Sequence, residues 1–161
     1  MVPFFPLAFL REIPGLEKAR LLDPLGGGKG NSMRFIVITP RDNSLQVEGV
    51  KNLFCAGEKV GLLVGHTEAI ITGSLAGFNA VALARGKNLL ELPRTLVSGD
   101  LLAFIKEQLA TPQGLAFKYT FSGSLYFARM EELGLYTTNV EVIQKRVVEA
   151  GLTGVYQQKI V

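Results

Sequence analysis

The sequence predicts an α/β protein, and three features of one stretch of the chain lead to that prediction. Residues 50–57 form a short apolar run that is typical of a buried strand and ends in Ala-Gly-Glu. A loop with glycines at positions 57, 61 and 65 follows. Small and apolar residues then recur at spacings of three and four over residues 67–85, as they do in a packed helix. We therefore expect a strand, a glycine loop and a helix in direct succession.

The composition is that of a folded protein. The chain has 161 residues, of which 48% are hydrophobic and 19% charged, and this balance excludes a disordered chain. Cys55 is the single cysteine, so an internal disulfide is excluded, and the net charge of +3 is compatible with RNA binding. Residues 1–10 lack a signal peptide's basic start, and no segment reaches the ~18 apolar residues of a membrane helix. We therefore expect a cytoplasmic protein that does not enter a membrane.

Two further strands and a glycine-rich loop are predicted outside this stretch. Residues 32–40 are β-branched and ended by proline, and residues 114–123 alternate between apolar and polar side chains, so both are expected to be strands. Residues 23–32 are rich in glycine but lack the Lys-Ser/Thr pair that a phosphate-binding loop needs. We interpret them as a loop without a ligand.

Two more helices are expected, at residues 98–110 and 138–151, the second with Thr138 and Glu141 at capping-box spacing. In the helix at residues 67–85, small side chains share one face, which favours close packing against a sheet or another helix. Such packing would compensate for the loss of about 1 kcal/mol of helix propensity at each glycine. The small residues of this face are Ala69, Gly73, Ala76, Gly77, Ala80 and Ala84.

The predicted strand, loop and helix together suit an anionic or electron-rich ligand. The first N–H groups of a helix have no partner within it, and the helix dipole adds about half a positive charge there. Glu58, at the end of the strand, is placed to accept hydrogen bonds from ligand hydroxyls. A flavin dinucleotide offers both hydroxyls and an electron-rich carbonyl edge. The alternative is a tight turn that carries a solvated glutamate.

Residues 52–80, NLFCAGEKVGLLVGHTEAIITGSLAGFNA, resemble the C-terminal flavin-binding segment of the glucose-inhibited division protein A family. Residues 13–22 and 92–105 resemble flanking segments of the same family, the latter in its folate-dependent methyltransferase branch. The chain departs from the family pattern at Glu58 and His66, where the family has glutamine and tyrosine. The matching positions are Asn52, Leu53, Phe54, Ala56, Gly57, Gly65, Glu68, Ala69, Gly73 and Ala76 to Ala80.

The resemblance implies a partial FAD-binding Rossmann-like domain over residues 1–90 and an α+β C-terminal extension over residues 91–161. It also implies a flavin whose ribityl chain runs along the strand end and whose N1–C2=O edge faces the helix start. For His66 a local hydrogen bond is the alternative, and for Glu68 an interaction with the helix dipole. No catalytic group and no metal ligand is assigned. The expected FAD-binding residues are Ala56, Gly57, Glu58, Gly65, His66, Thr67 and Glu68.

The function that the resemblance implies is tRNA uridine modification, by transfer of a methyl or a carboxymethylaminomethyl group. FAD would be the cofactor, with NAD(P)H or folate as a second one. The family binds the FAD pyrophosphate through a GxGxxG turn, which the 161 residues lack. We therefore expect an N-terminal half or self-association to complete the site, and tRNA as a partner. The alternatives are an FAD-dependent oxidoreductase of a small molecule and a non-catalytic remnant or interaction module.

Overall fold

The computed structural model describes three stretches of the chain, residues 7–19, 39–114 and 117–160. They belong to two compact units, residues 1–37 and residues 38–161. The division near residue 90 that the family resemblance implies is a different one, and it stays a prediction.

In the first unit, helix α1 (Leu7–Arg11) is followed by turns. The Arg11 side chain donates a hydrogen bond of 3.1 Å to the carbonyl of Ala19, which closes these turns. The predicted loop at residues 23–32 lies outside the described residues, as does the predicted strand at residues 32–40 apart from its last two positions.

The described part of the second unit is mainly helical. Helices α2, α3 and α5 confirm the three helices that the sequence predicts, within two residues at each end, whereas α4 was not predicted. Helix α5 is capped by Asn139, whose side chain accepts from the N–H groups of Glu141 and Val142, and not by the predicted Thr138–Glu141 box. The helices are α2 (His66–Ala84), α3 (Val97–Leu109), α4 (Ser124–Glu132) and α5 (Val140–Glu149), with 3₁₀ helices at Gly57–Val60 and Val155–Gln157.

Extended backbone in the described residues forms isolated bridges and no continuous strand. The predicted strand at residues 50–57 is wrong, because the chain turns at residues 48–52 and only Phe54 bridges back, to Gln46. Of the predicted strand at residues 114–123, positions 115 and 116 lie outside the described residues, and the remainder forms one parallel bridge, between Tyr119 and Leu63. The described residues thus contain helices and no sheet, and the α/β class stays a prediction.

Helix α2 turns a different face to the core from the one that its small residues predicted. Its buried residues are Glu68, Thr72, Leu75, Ala76, Asn79 and Ala82. Of the small-residue face only Ala76 is buried, and Gly73 and Gly77 are exposed. A methyl group at either glycine would meet no atom within 4 Å. The prediction that this face packs closely is therefore wrong for the described part of the chain. The polar side chains that contact neighbouring segments lie on a different face of the helix.

We expect Gly73→Ala and Gly77→Ala each to raise the free energy of unfolding by about 1 kcal/mol. Alanine is the better helix former, and both positions have open space around them. Urea unfolding of the isolated chain measures the change. Gly99→Ala is the matched contrast: its methyl carbon would lie 2.2 Å from the carbonyl oxygen of Pro93, a backbone atom. That overpacking should cost about 1–3 kcal/mol. A loss of stability in Gly77→Ala would mean that the small-residue face is packed after all.

By length and composition, α2 is apolar enough to cross a membrane, contrary to the expectation from the sequence. About a third of that apolar window, 33%, is buried within the structure. Its buried Glu68, Thr72 and Asn79 side chains all form hydrogen bonds with other parts of the chain. One face of α2 is thus packed against the described part of the chain by polar side chains, and most of the rest of the helix is exposed.

Helices α3 and α4 are joined by an ion pair between the buried Asp100 and the half-buried Arg129. Arg129 donates from Nε to Oδ2 and from Nη2 to Oδ1 of Asp100, both at 2.8 Å, and its guanidinium lies 4.7 Å from the centre of the Phe104 ring. The Tyr126 hydroxyl lies 3.1 Å from Oδ2. Burial raises the pKa of Asp100, but the hydrogen bonds and charge of Arg129 outweigh it and hold the pKa below its usual value. The pair fixes the position of α4 on α3.

Candidate functional site

The turn that contains Ala56, Gly57 and Glu58 lies against the first two turns of α2. Gly57 has a positive φ of 61° and donates from its N–H to the Thr72 hydroxyl at 2.8 Å. That hydroxyl in turn donates to the carbonyl of Glu68 at 2.7 Å. The Thr72 hydroxyl therefore fixes the turn to the helix by accepting from the backbone of Gly57 and donating to the backbone of Glu68. The structure thus brings together the two groups of predicted FAD-binding residues.

The N-terminus of α2 faces outward. Gly65 precedes the helix with φ 133° and ψ 158°, a conformation that is essentially restricted to glycine. No side chain caps this end of the helix, and His66 and Thr67 are exposed. The first N–H groups of a helix have no partner inside it, so they are available here to an outside acceptor. This is the geometry that the glycine loop predicted.

Glu68 is the one predicted site residue that points inward. It is 5% exposed, and its Oε1 accepts a hydrogen bond of 2.6 Å from the backbone N–H of Phe121. Its other oxygen lies where a methyl group on Gly65 would come within 2.0 Å. Ala56 and Glu58, by contrast, are exposed. The contact of Glu68 is thus with the protein, and its assignment as a cofactor ligand stays a prediction.

Two polar residues that hold the site were missed at the level of sequence, Thr72 and Asn79. Asn79 is fully buried, donates to the carbonyls of Ser44 (2.8 Å) and Leu90 (2.9 Å), and accepts from the Leu90 N–H at 2.7 Å. The available signal was the row Glu68, Thr72, Leu75, Asn79 and Ala82, which recurs at helical spacing. The polar residues of this row are typical of a solvent-exposed helix face, but in the structure they are buried.

An open cleft of about 580 Å³ begins beside the start of α2. Its walls are apolar, and Arg146 stands at its edge, held by hydrogen bonds of 2.7 and 2.8 Å to the carbonyls of Leu135 and Gly134. Its volume is in the range of small-molecule sites. The residues that line it are Thr67, Ile71, Leu96, Val97, Ser98, Phe121, Ser122, Phe127, Met130, Leu135, Tyr136, Thr137, Ile143, Arg146 and Val147.

Cys55 is buried, as the sequence predicts for a structural cysteine. Burial raises the pKa of its thiol, although the charge of Arg41 acts in the opposite direction. Arg41 is itself 2% exposed and donates to the carbonyls of Val60 and Leu102 at 3.3 and 3.1 Å. The sequence did not reveal this cation, since it lies on a separate segment. A thiol with a raised pKa and no exposure is a poor nucleophile.

Curated proteins of two kinds are similar to this chain. The methylenetetrahydrofolate--tRNA-(uracil-5-)-methyltransferase TrmFO of Acaryochloris marina is 44% identical over 105 residues, 63% of this chain and 21% of that protein. The TrmFO of Synechococcus elongatus is 47% identical over 64 residues, 40% of this chain and 14% of the relative. The tRNA uridine 5-carboxymethylaminomethyl modification enzyme MnmG of a Synechocystis species is 34% identical over 105 residues, 65% of this chain and 15% of that enzyme.

The chain thus spans only 14% to 21% of the length of these relatives. No solved structure matches it. The family model described as Glucose inhibited division protein A matches residues 6–88, which is more than half of the chain and includes all the predicted FAD-binding residues. The chain belongs to the Glucose inhibited division protein A family.

Proposed function

We propose that this chain is the flavin-facing part of an FAD-dependent protein that modifies uridine in tRNA. The observation that carries the proposal is the outward, uncapped N-terminus of α2, with the Ala56–Gly57–Glu58 turn fixed beside it by Thr72. This arrangement lies inside the segment that the family model matches. The names of the relatives, a uracil methyltransferase and a carboxymethylaminomethyl-uridine enzyme, supply the tRNA part of the proposal.

The residues of the chain fit a flavin in their chemistry. Gly57 and Glu58 would lie along the ribityl hydroxyls, and the N–H groups at Gly65, His66 and Thr67 would face the N1–C2=O edge. Flavin supplies hydride or electron transfer when it is bound. The chain's own part is to orient the ring and to place the positive end of the α2 dipole at the edge where the reduced ring becomes negative.

The exposed face of α2 is the proposed docking surface for an N-terminal half that carries the dinucleotide-binding turn. The face combines the small residues Gly73 and Gly77 with two large apolar side chains, Ile70 at 68% and Val81 at 48% exposure. A helix that offers small residues permits the close approach of a neighbouring element. The matched segment is only 21% of the Acaryochloris marina relative, which leaves room in that protein for such a half. Its sheet would complete the Rossmann-like α/β domain, and self-association through the same face is the other arrangement.

The finer assignments belong to this proposal as well. Both methyl and carboxymethylaminomethyl transfer are consistent with the relatives' names, since both kinds of enzyme are similar to the chain. Folate or NAD(P)H would be the second cofactor, and the protein would act on tRNA in the cytoplasm without a membrane partner.

The test is a titration of the chain with FAD, alone and together with the N-terminal half of the Acaryochloris marina relative, followed by visible absorption. We expect a shifted flavin band when both parts are present. Gly77→Leu should abolish that shift, because its side chain would obstruct the docking surface, while leaving the isolated chain folded, because Gly77 has open space around it. Gln144→Leu, on the exposed side of α5, is the matched control and should bind FAD like the natural chain.

Three results would contradict the proposal. One is the absence of a band shift with the natural chain and the N-terminal half, which favours a non-catalytic remnant. Another is full flavin binding by Gly77→Leu, which would place the docking surface elsewhere. The last is flavin binding without any salt-dependent affinity for tRNA, which would favour a small-molecule oxidoreductase.

A further inference from the structure

We infer that Glu68 is a positioning residue of the proposed flavin site, and that it acts by holding residues 117–123 beside the N-terminus of α2. The inference rests on the proposed function. It assigns Glu68 to a wall of the site, in place of the direct cofactor contact that the sequence suggested, and it adds Phe121 and Ser122 to the site.

The geometry of Glu68 is that of a tether between distant segments. Its carboxylate lies in the first turn of α2 and accepts from the Phe121 N–H at 2.6 Å, across 53 residues of sequence. A hydrogen bond to an ionised acceptor is roughly twice as strong as one between neutral groups. The nearby parallel bridge of Tyr119 to Leu63 approaches the same region by backbone alone. Glu68 is therefore the side chain that brings this segment to the helix start.

Gly65 makes room for the tether. A methyl group at this position would lie 2.0 Å from Oε2 of Glu68, so any larger residue would push the carboxylate aside. The same glycine gives α2 an N-terminus without a side-chain cap. The negative charge of Glu68 in the first turn is favoured by the helix dipole, which keeps the carboxylate in place.

The held segment forms part of the cleft beside the proposed flavin edge. Phe121 and Ser122 line the cleft of about 580 Å³, together with Thr67 from the exposed start of α2. Glu68 lies behind this wall and contacts the backbone of Phe121, so its carboxylate fixes the distance between the ring of Phe121 and the helix N–H groups. A ligand bound at those N–H groups would therefore have the Phe121 ring and the Ser122 hydroxyl at a fixed distance from it.

The test compares Glu68→Gln with Glu68→Asp. Glutamine keeps the reach and an acceptor oxygen but loses the charge, whereas aspartate keeps the charge but is one methylene too short. The hydrogen-exchange rate of the Phe121 amide, measured in the isolated chain, shows whether the hydrogen bond to residue 68 is formed. The FAD affinity of the chain together with the N-terminal half of the relative reports the site. We expect Glu68→Gln to keep part of the amide protection and to bind FAD about threefold more weakly, because a neutral amide oxygen still accepts the bond at about half the strength. We expect Glu68→Asp to lose the amide protection and to bind FAD about tenfold more weakly, as for one lost charge-assisted hydrogen bond.

The reverse pattern would overturn the inference, since FAD binding retained by Glu68→Asp and lost by Glu68→Gln means that the charge acts on the cofactor directly. Full FAD binding by Glu68→Asp despite a rapidly exchanging Phe121 amide would show that residues 117–123 are not part of the site. If the natural chain binds no FAD in the same mixture, the proposed function has failed, and the inference about a flavin site fails with it. The natural chain thus distinguishes the two failures.

Discussion

Asp100→Asn is expected to lower the free energy of unfolding by about 1.5–3 kcal/mol. The substitution removes the negative charge from a side chain that is 2% exposed and leaves the guanidinium of Arg129 without its two hydrogen bonds to a charged acceptor. The loss is larger than for a neutral hydrogen bond because the half-buried guanidinium of Arg129 loses a charged acceptor. Urea unfolding at neutral pH measures the loss. Glu107→Gln, which removes an exposed partner of Arg94, is the control and should change stability by about 0.5 kcal/mol at most.

The same ion pair predicts how the difference in unfolding free energy between the natural chain and Asp100→Asn depends on pH. The folded pKa of Asp100 lies below its usual value, so its contribution is fully present above the unfolded pKa of about 3.9. It is lost as the pH falls from there through the folded pKa. The natural chain should therefore lose stability more steeply than Asp100→Asn below about pH 4. A constant difference between pH 7 and pH 3 would mean that Asp100 does not act through its charge.

Asn79→Ala is expected to cost about 2–3 kcal/mol, since it leaves the buried carbonyl of Ser44 and the partly buried N–H and carbonyl of Leu90 without their partner. One amide holds two separate segments against α2, so the loss should also release them for hydrogen exchange. Ser74→Ala on the same helix removes an exposed hydroxyl bonded within the helix and should be nearly neutral. Unchanged stability with lost flavin binding would instead assign Asn79 to a ligand.

Three of the helices could be predicted from the sequence, while the predicted strand at residues 50–57 is not formed. Helical spacing and an N-terminal glycine locate α2 because those signals are local. The apolar run at residues 50–57 satisfies strand propensity but is followed and preceded by turns, so it forms only the bridge at Phe54. Periodicity alone does not report whether a partner strand is present. Helix α4 escaped prediction because the alternation before it favoured a strand.

The start of α2 and the glycine turn beside it could be located from the sequence, but the contacts between them could not. The glycine loop and the family motif point to the start of α2, and the structure places Gly57 and Gly65 there as expected. The side that α2 buries was predicted wrongly, because helical spacing shows which residues share a face but not which face is covered. The roles of Thr72 and Glu68 depend on partners 15 and 53 residues away, and spacing along one helix does not reveal them.

Three long-range hydrogen bonds, two of them from α2, also bear on how fast the chain folds. Arg41 reaches Leu102 across 61 residues, Glu68 reaches Phe121 across 53, and Asn79 reaches Ser44 across 35. A long loop must close before each of these bonds can form, and the entropy lost in closing it is not offset until then. This slows folding relative to a helical bundle with local contacts. We therefore expect refolding to be slower than the helical content suggests, with the helices formed well before the Phe121 amide becomes protected from exchange.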